Sequence, residues 1–474
     1  MERKPAVADA FYTGDPVRLK KEVLSYIEKG VPDKAEGKVL GVLVPHAGYA
    51  YSGPVAGTGF AAVKELNFNT AVFLGAGHNC PSAGGALAAK GSFLTPLGKL
   101  EIDEKFTGSL LKKSAVFEDL SEAHAKEHSI EVQLPFLQAL KGDSVKIVPV
   151  LFNTGELPVL REAGRVLGGE MKGKDAILFI SSDLSHFPPS AVARPADTAA
   201  LLALKMAMRL GDVSYFELAS KILSAKGGRE LSCVCCGQAA ITAGAAACME
   251  LGANDFQILC YTNSGDISGE NSRVVGYGAG LFIKADGKPE TSLPVTSGMK
   301  KELLALARKS IAGYLKNGKE LRLPLSGEPV FNLPGAVFVT LTEKGKLRGC
   351  IGTMEPQGTL LDAVASFAAS SAFCDSRFSP LDASELDSVK IEISILSPLV
   401  KAAGHEEVEP GKHGVYIKRG GRSGTYLPQV WEHFRTKEEF LCSLCLEKTG
   451  LEADAWKKPS TGIFVYTVDA FKEE

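Results

Sequence analysis

A chain of 474 residues exceeds what one ordinary hydrophobic core encloses, so two or three domains are expected. Its 45% hydrophobic and 23% charged residues are those of a globular protein and exclude a disordered chain. A formal net charge of -2 supplies no overall basic field for a phosphate backbone, so nucleic acid is not expected as a partner. No apolar run reaches the roughly 18 residues that cross a membrane.

The opening residues, Met1 to Ala10, are charged and lack an apolar signal core, which predicts no secretion and a cytoplasmic location. Candidate strands follow at Val39–Val44, Ala71–Leu74, Val145–Phe152, Ala176–Ile180, Phe256–Tyr261 and Val274–Ile283. Helix-like segments lie between them at Pro54–Leu66, Ile130–Leu140 and Ala196–Leu210. This alternation predicts an α/β three-layer sandwich with a mainly parallel central sheet, which places ligands beyond the carboxyl ends of its strands. Near residues 285–297 the pattern gives way to a polar, turn-rich stretch. An amphipathic helix then restarts over Lys300–Lys316. Domains at 1–288 and 298–474 are expected. In the second, strands at Ala336–Thr342 and Lys390–Leu396 and helices at Leu360–Ala372 and Lys437–Thr449 predict a smaller α+β fold.

The first domain holds five of the eight histidines, and three of these follow predicted strands: VLVPHAGY (His46), FLGAGHNC (His78) and FISSDLSHF (His186). A lone histidine in a loop is readily satisfied by backbone groups. Three at the ends of strands of one sheet point instead to convergent imidazoles and to metal ligation. Cys236 precedes Gly237 at the start of a small-residue helix, where a thiol pKa is expected to be depressed and a thiolate to ligate or attack. The alternative is that Cys233, Cys235 and Cys236 pack as small apolar side chains. All ten cysteines are expected as reduced thiols. Two imidazoles and a thiolate suit iron, copper or zinc and disfavour magnesium and calcium.

Asp183 lies three residues before His186 and either orients it as a general base or caps the following turn with Ser181 and Ser182. The segment His124-Ala-Lys-Glu127-His128 has the H-x-x-E-H spacing of an inverted zinc-protease helix. A helix starting at His128 or Ser129 would instead put His128 and Glu131 on one face of its first turn as further catalytic candidates. In the second domain Arg348 and Cys350 lie in a turn bracketed by Gly349 and Gly352, which would let a ligand approach the backbone. Arg377 either binds an anionic substrate group or pairs with Asp375. Cys442 and Cys445 fall on one helical face and are read as core.

Several segments together resemble the MEMO family: RKPAVADAFYTGDP, VPHAGYAYSGPVA, GAGHNCP, EHSIEVQLPFL, SSDLSHF, CCGQAAI and VVGYGAGLF, in that order. MEMO proteins are similar in fold to the class III extradiol dioxygenases, which use non-haem iron to open catechol rings. The resemblance implies His46, His78 and Cys236 as metal ligands, with Asp183 nearby and His186 at the general-base position. The dioxygenases carry a glutamate where Cys236 stands here, a change that favours softer or more reduced metals. The second half, with LRGCIGT, AFCDSRFSPL and GRSGTYLPQV, resembles the AMMECR family. Together the resemblances imply a system that also includes a separate radical-SAM partner. The expected function is an oxidoreductase using iron or copper, with zinc also compatible, on an aromatic or otherwise conjugated small molecule. The alternative is a non-catalytic metal-binding scaffold or an accessory of macromolecule modification.

Overall fold

The computed structural model describes residues 2–287 and 289–474. The chain forms two compact units, Met1–Glu290 with Leu325–Pro329, and Thr291–Pro324 with Val330–Glu474. Among the described residues no helix is long and apolar enough to cross a membrane.

The first unit is built on an eight-stranded sheet. Its strands are β1 (Gly37–Val44), β2 (Thr70–Ala76), β3 (Gly85–Leu87), β4 (Phe117–Asp119), β5 (Lys146–Phe152), β6 (Ala176–Ser181), β7 (Asp255–Asn263) and β8 (Gly276–Ala285). The order is β7-β8-β1-β6-β2-β5-β3-β4. The central strands β1, β6, β2 and β5 are parallel. The sheet as a whole is mixed, because β8 runs antiparallel to both β7 and β1, and β3 runs antiparallel to β5. All seven residues of β2 are buried, which is why it reads as a continuous apolar run instead of alternating.

Helices cover both faces of the sheet. On α1 (Pro16–Lys29), Asp15 caps the N-terminus by accepting from the Arg18 N–H at 2.8 Å. Leu19, Val23 and Ile27 then recur every fourth residue on its buried stripe. Phe60 of α2 (Tyr49–Ala61) stacks between Phe136 and Phe179 at 5.1 and 4.9 Å. On the other face, the small-residue helix Gln238–Glu250 packs on the sheet. The predicted helix over Ile130–Leu140 is instead a 3-10 turn, Glu131–Gln133, followed by Leu134–Lys141.

The second unit holds two four-stranded sheets, more strand than expected. One orders Lys346–Gly352, Ala336–Glu343, Val389–Leu396 and Val468–Lys472, all antiparallel. The other contains the hairpin Gly414–Arg419 and Arg422–Tyr426, whose Lys and Arg residues hid its strand pattern. Helices Ser297–Asn317 and Leu360–Phe373 are joined by the Ser310 hydroxyl donating to the Ala365 carbonyl at 2.6 Å.

A buried ion pair fastens the N-terminal segment of the first unit. Glu131 is fully buried and accepts from Arg3 Nη2 at 2.7 Å, the Ala6 and Val7 N–H groups at 2.9 and 3.1 Å, and the Tyr12 hydroxyl at 2.5 Å. The Arg3 guanidinium also donates to the carbonyls of His124 and Glu127 at 2.7 and 2.6 Å. Breaking a buried pair leaves an uncompensated charge, so Glu131→Ala is expected to lower the unfolding free energy by about 3–5 kcal/mol. Urea denaturation measures this, and a loss below about 1 kcal/mol would contradict the fastening role.

Candidate metal centre

Parallel pairing places the carboxyl ends of β1, β6 and β2 side by side. Val44 and Gly75 both register with Ser181 across neighbouring strands. The loops that follow carry His46, His78, and Asp183 with His186, so they emerge at one edge of the sheet. Gly237 lets the fourth segment approach. Its N–H donates to Ser182 Oγ at 2.9 Å, and a side chain there would meet Ser182 at 2.8 Å.

The donor atoms of His46, His78 and Cys236 lie within 4.8 Å of one another. Cys236 Sγ is 3.2 Å from His46 Nε2. One ion bound at about 2.1 Å from nitrogen and 2.3 Å from sulfur sets those atoms roughly 3.1–3.6 Å apart, a range that includes the His46–Cys236 separation. Two further groups, His78 with Glu127 and His128, and Asp183 with His186 and Cys236, overlap the first.

Each imidazole is oriented through Nδ1. Ser181 Oγ gives its only proton to the Ser129 carbonyl at 2.6 Å and accepts from Gln133 Nε2 at 2.9 Å. The 3.1 Å contact from His46 Nδ1 to the same oxygen therefore requires an N–H on Nδ1, leaving the Nε2 lone pair toward Cys236. His78 Nδ1 lies 3.1 Å from the Glu127 carboxylate, and His186 Nδ1 lies 3.1 Å from the Leu184 carbonyl. Both partners only accept, so Nε2 is unprotonated in neutral His78 and His186 as well.

Burial favours the neutral imidazole at His46 and His128, whereas His78 is pulled the other way. Burial, with His78 nearby, lowers the His46 pKa to about 3. Burial and His46 lower His128 to about 4. Hydrogen bonding to Glu127 raises His78. Burial opposes ionisation of Glu127, yet bonds from His78 and the Ser129 N–H hold its carboxyl down to about 2. The Cys236 thiol is pushed well up by burial and by Asp183, so proximity to a helix N-terminus does not depress it as expected.

Other expectations are corrected. Glu131 belongs to the Arg3 and Tyr12 cluster and does not share a face with His128. His128 stacks on His78 at 4.8 Å. His124 is buried with Nε2 3.0 Å from the Ala86 carbonyl, so the H-x-x-E-H spacing forms no zinc-protease helix. Asp183 caps no turn. Its Oδ1 accepts the His46 N–H at 2.7 Å, and Oδ2 stands 4.0 Å from His186 Nε2, beyond a hydrogen bond. Leu184, not Asp183, orients His186. Sequence reasoning gives no orienting role to Glu127 and Ser181, which hold His78 and His46, although Glu127 stands in the sequence between two histidines.

In the second unit, Gly349 and Gly352 admit protein rather than ligand. A side chain at Gly349 would meet the Ser371 carbonyl at 2.0 Å, and one at Gly352 the Val337 carbonyl at 2.2 Å. Arg348 binds Glu385 through Nε at 2.6 Å and Nη2 at 2.9 Å. Arg377 grips Asp375 at 2.9 and 2.7 Å, and Asp375 accepts the Cys350 N–H at 2.8 Å. Both guanidinium forks are therefore occupied by carboxylates of the same unit. Cys445 is core, and half-buried Cys442 accepts from Trp456 Nε1 at 3.5 Å.

The family model described as Memo-like protein matches residues 3–281. The chain belongs to the Memo family. A second model, AMMECR1, matches residues 304–471, so a Memo-like domain and an AMMECR1 domain share one chain. A MEMO1 family protein of Methanopyrus kandleri is 35% identical over 292 residues, covering 60% of this chain and 99% of that protein. One from Nitrosopumilus maritimus is 31% identical over 287 residues, covering 60% and 100%. The crystal structure of an uncharacterized protein, PH0010 of Pyrococcus horikoshii, is 34% identical with a TM-score of 0.35, covering 38% of this chain and 94% of that one.

The depressed histidines make the metal-free Memo-like domain acid-labile. An unfolded imidazole takes up a proton near pH 6.5, whereas folded His46 and His128 resist until about 3 and about 4. Between those limits the unfolded state binds more protons, so stability falls as pH falls. His128→Gln is expected to lose less stability than the wild type between pH 7 and pH 5 in metal-free urea titrations. An equal or larger loss would contradict the assignment.

Proposed function

We propose that the Memo-like domain holds a redox-capable transition metal, iron or copper, through His46, His78 and Cys236 and acts on a small organic molecule. The observation that carries this is the convergence of three ligand atoms within 4.8 Å, with both imidazoles turned to present Nε2 by partners outside the set. Such a metal supplies Lewis-acid polarisation and one-electron chemistry when bound.

The chain's own residues perform the remaining tasks. His186 Nε2, free while Leu184 holds Nδ1–H, accepts a proton from a substrate hydroxyl or carbon acid. The buried Asp183 carboxyl, 4.0 Å away, stabilises the imidazolium that results. His128, kept neutral and stacked on His78, offers a hydrogen-bonding nitrogen beside the same cluster. Glu127 keeps His78 in one tautomer.

The test is titration of metal-free protein with Co(II) as a spectroscopic substitute, alongside metal analysis of anaerobically purified protein. Stoichiometric binding with a thiolate-to-cobalt charge-transfer absorption is expected, absent in Cys236→Ser and lost in His46→Ala. Glu127→Gln is expected to weaken binding about 10–100-fold by releasing His78. His186→Ala should leave affinity unchanged, which separates a base from a ligand. Unaltered cobalt absorption in Cys236→Ser would overturn the ligand set.

A further inference from the structure

We propose that Phe187 and Arg273 form a recognition clamp beside His186 that selects a small aromatic carboxylate. The proposal deepens the function above and rests on it only for the chemistry that follows binding. Its starting point is backbone strain. Phe187 has φ 68°, in the left-handed region where a residue with a bulky side chain is an outlier. The surrounding backbone enforces it. The Phe187 N–H donates to the Val274 carbonyl at 2.8 Å, the Val274 N–H to the Pro188 carbonyl at 2.9 Å, and His186 bridges Val275. Glycine would make the same bonds without strain, so the ladder does not account for a phenylalanine.

Packing does not account for it either, because the side chain is 57% exposed. The ring instead meets two functional groups. It stands 5.6 Å from the His186 ring at 81°, and the Arg273 guanidinium lies 4.9 Å over its centroid. Arg273 is exposed, and no carboxylate among the described residues pairs with it. A guanidinium laid on an aromatic face keeps its N–H edge free for a planar, bidentate acceptor. A carboxylate conjugated to a ring is planar and rigid. It fits the fork while its ring lies against the exposed apolar surface of Phe187. The Phe187 ring thus adjoins both His186 and Arg273.

The experiment measures binding of 4-fluorobenzoate and its neutral isostere 4-fluorobenzamide to the full chain by fluorine NMR, metal-free and with Co(II). In metal-free wild type the carboxylate is expected to bind roughly five- to tenfold more tightly than the amide. Arg273→Gln should abolish that preference with an unchanged thermal midpoint, and Phe187→Gly should weaken both probes alike. Cobalt should broaden the fluorine signal of the bound probe. Equal affinities in wild type, a preference that survives Arg273→Gln, or a bound probe unaffected by bound cobalt would overturn the clamp. Failure of Co(II) to bind would overturn the metal reading instead, while the metal-free preference still judges the clamp.

Discussion

Parallel pairing of β1, β6 and β2 is the constraint from which the centre follows. A one-residue slip in any of these pairings would exchange the side chains packed under the two helical layers, so packing on both faces fixes the register. With Val44 and Gly75 both aligned on Ser181, the three following loops leave the sheet at one level. Side chains far apart in sequence then meet without any loop needing to be long. The antiparallel flanks do not disturb this, since they lie outside the trio.

Within that frame, one device orients three imidazoles. Each Nδ1 faces a group that accepts a proton and has none to give: Ser181 with its hydroxyl already committed, the Glu127 carboxylate, and the Leu184 carbonyl. The result is a shared tautomer with Nε2 presented. Glu127 is in turn held by the N–H groups of His78, His128 and Ser129. The segment that carries it is tied to the N-terminal segment by Arg3. The first residues of the chain thereby hold Glu127, more than a hundred positions away, and through it the orientation of His78.

The AMMECR1 domain uses similar residue types for a different end. Its arginines close bidentate pairs with Glu385 and Asp375, and the Asp375 carboxylate and Ser371 hydroxyl accept N–H groups of the edge strand Lys346–Gly352. Covering an exposed strand edge in this way guards against pairing with another chain. The glycines of the same strand serve helix–sheet approach. Motif residues alone did not distinguish a ligand site from this arrangement, because both demand small residues and forked donors.

By itself the sequence determined the α/β pattern of the first domain, the change of pattern after residue 285, and the positions of His46, His78 and His186 at strand ends. These are local consequences of periodicity and turn chemistry, and each leaves its mark within about ten residues. Only the tertiary structure decided that Glu131 belongs to Arg3, that His124 is core, and that Glu127 and Ser181 orient His78 and His46. It also decided that burial outweighs the helix end at the Cys236 thiol. Those outcomes depend on partners more than thirty residues away and on desolvation, which exists only once the chain has closed around the group.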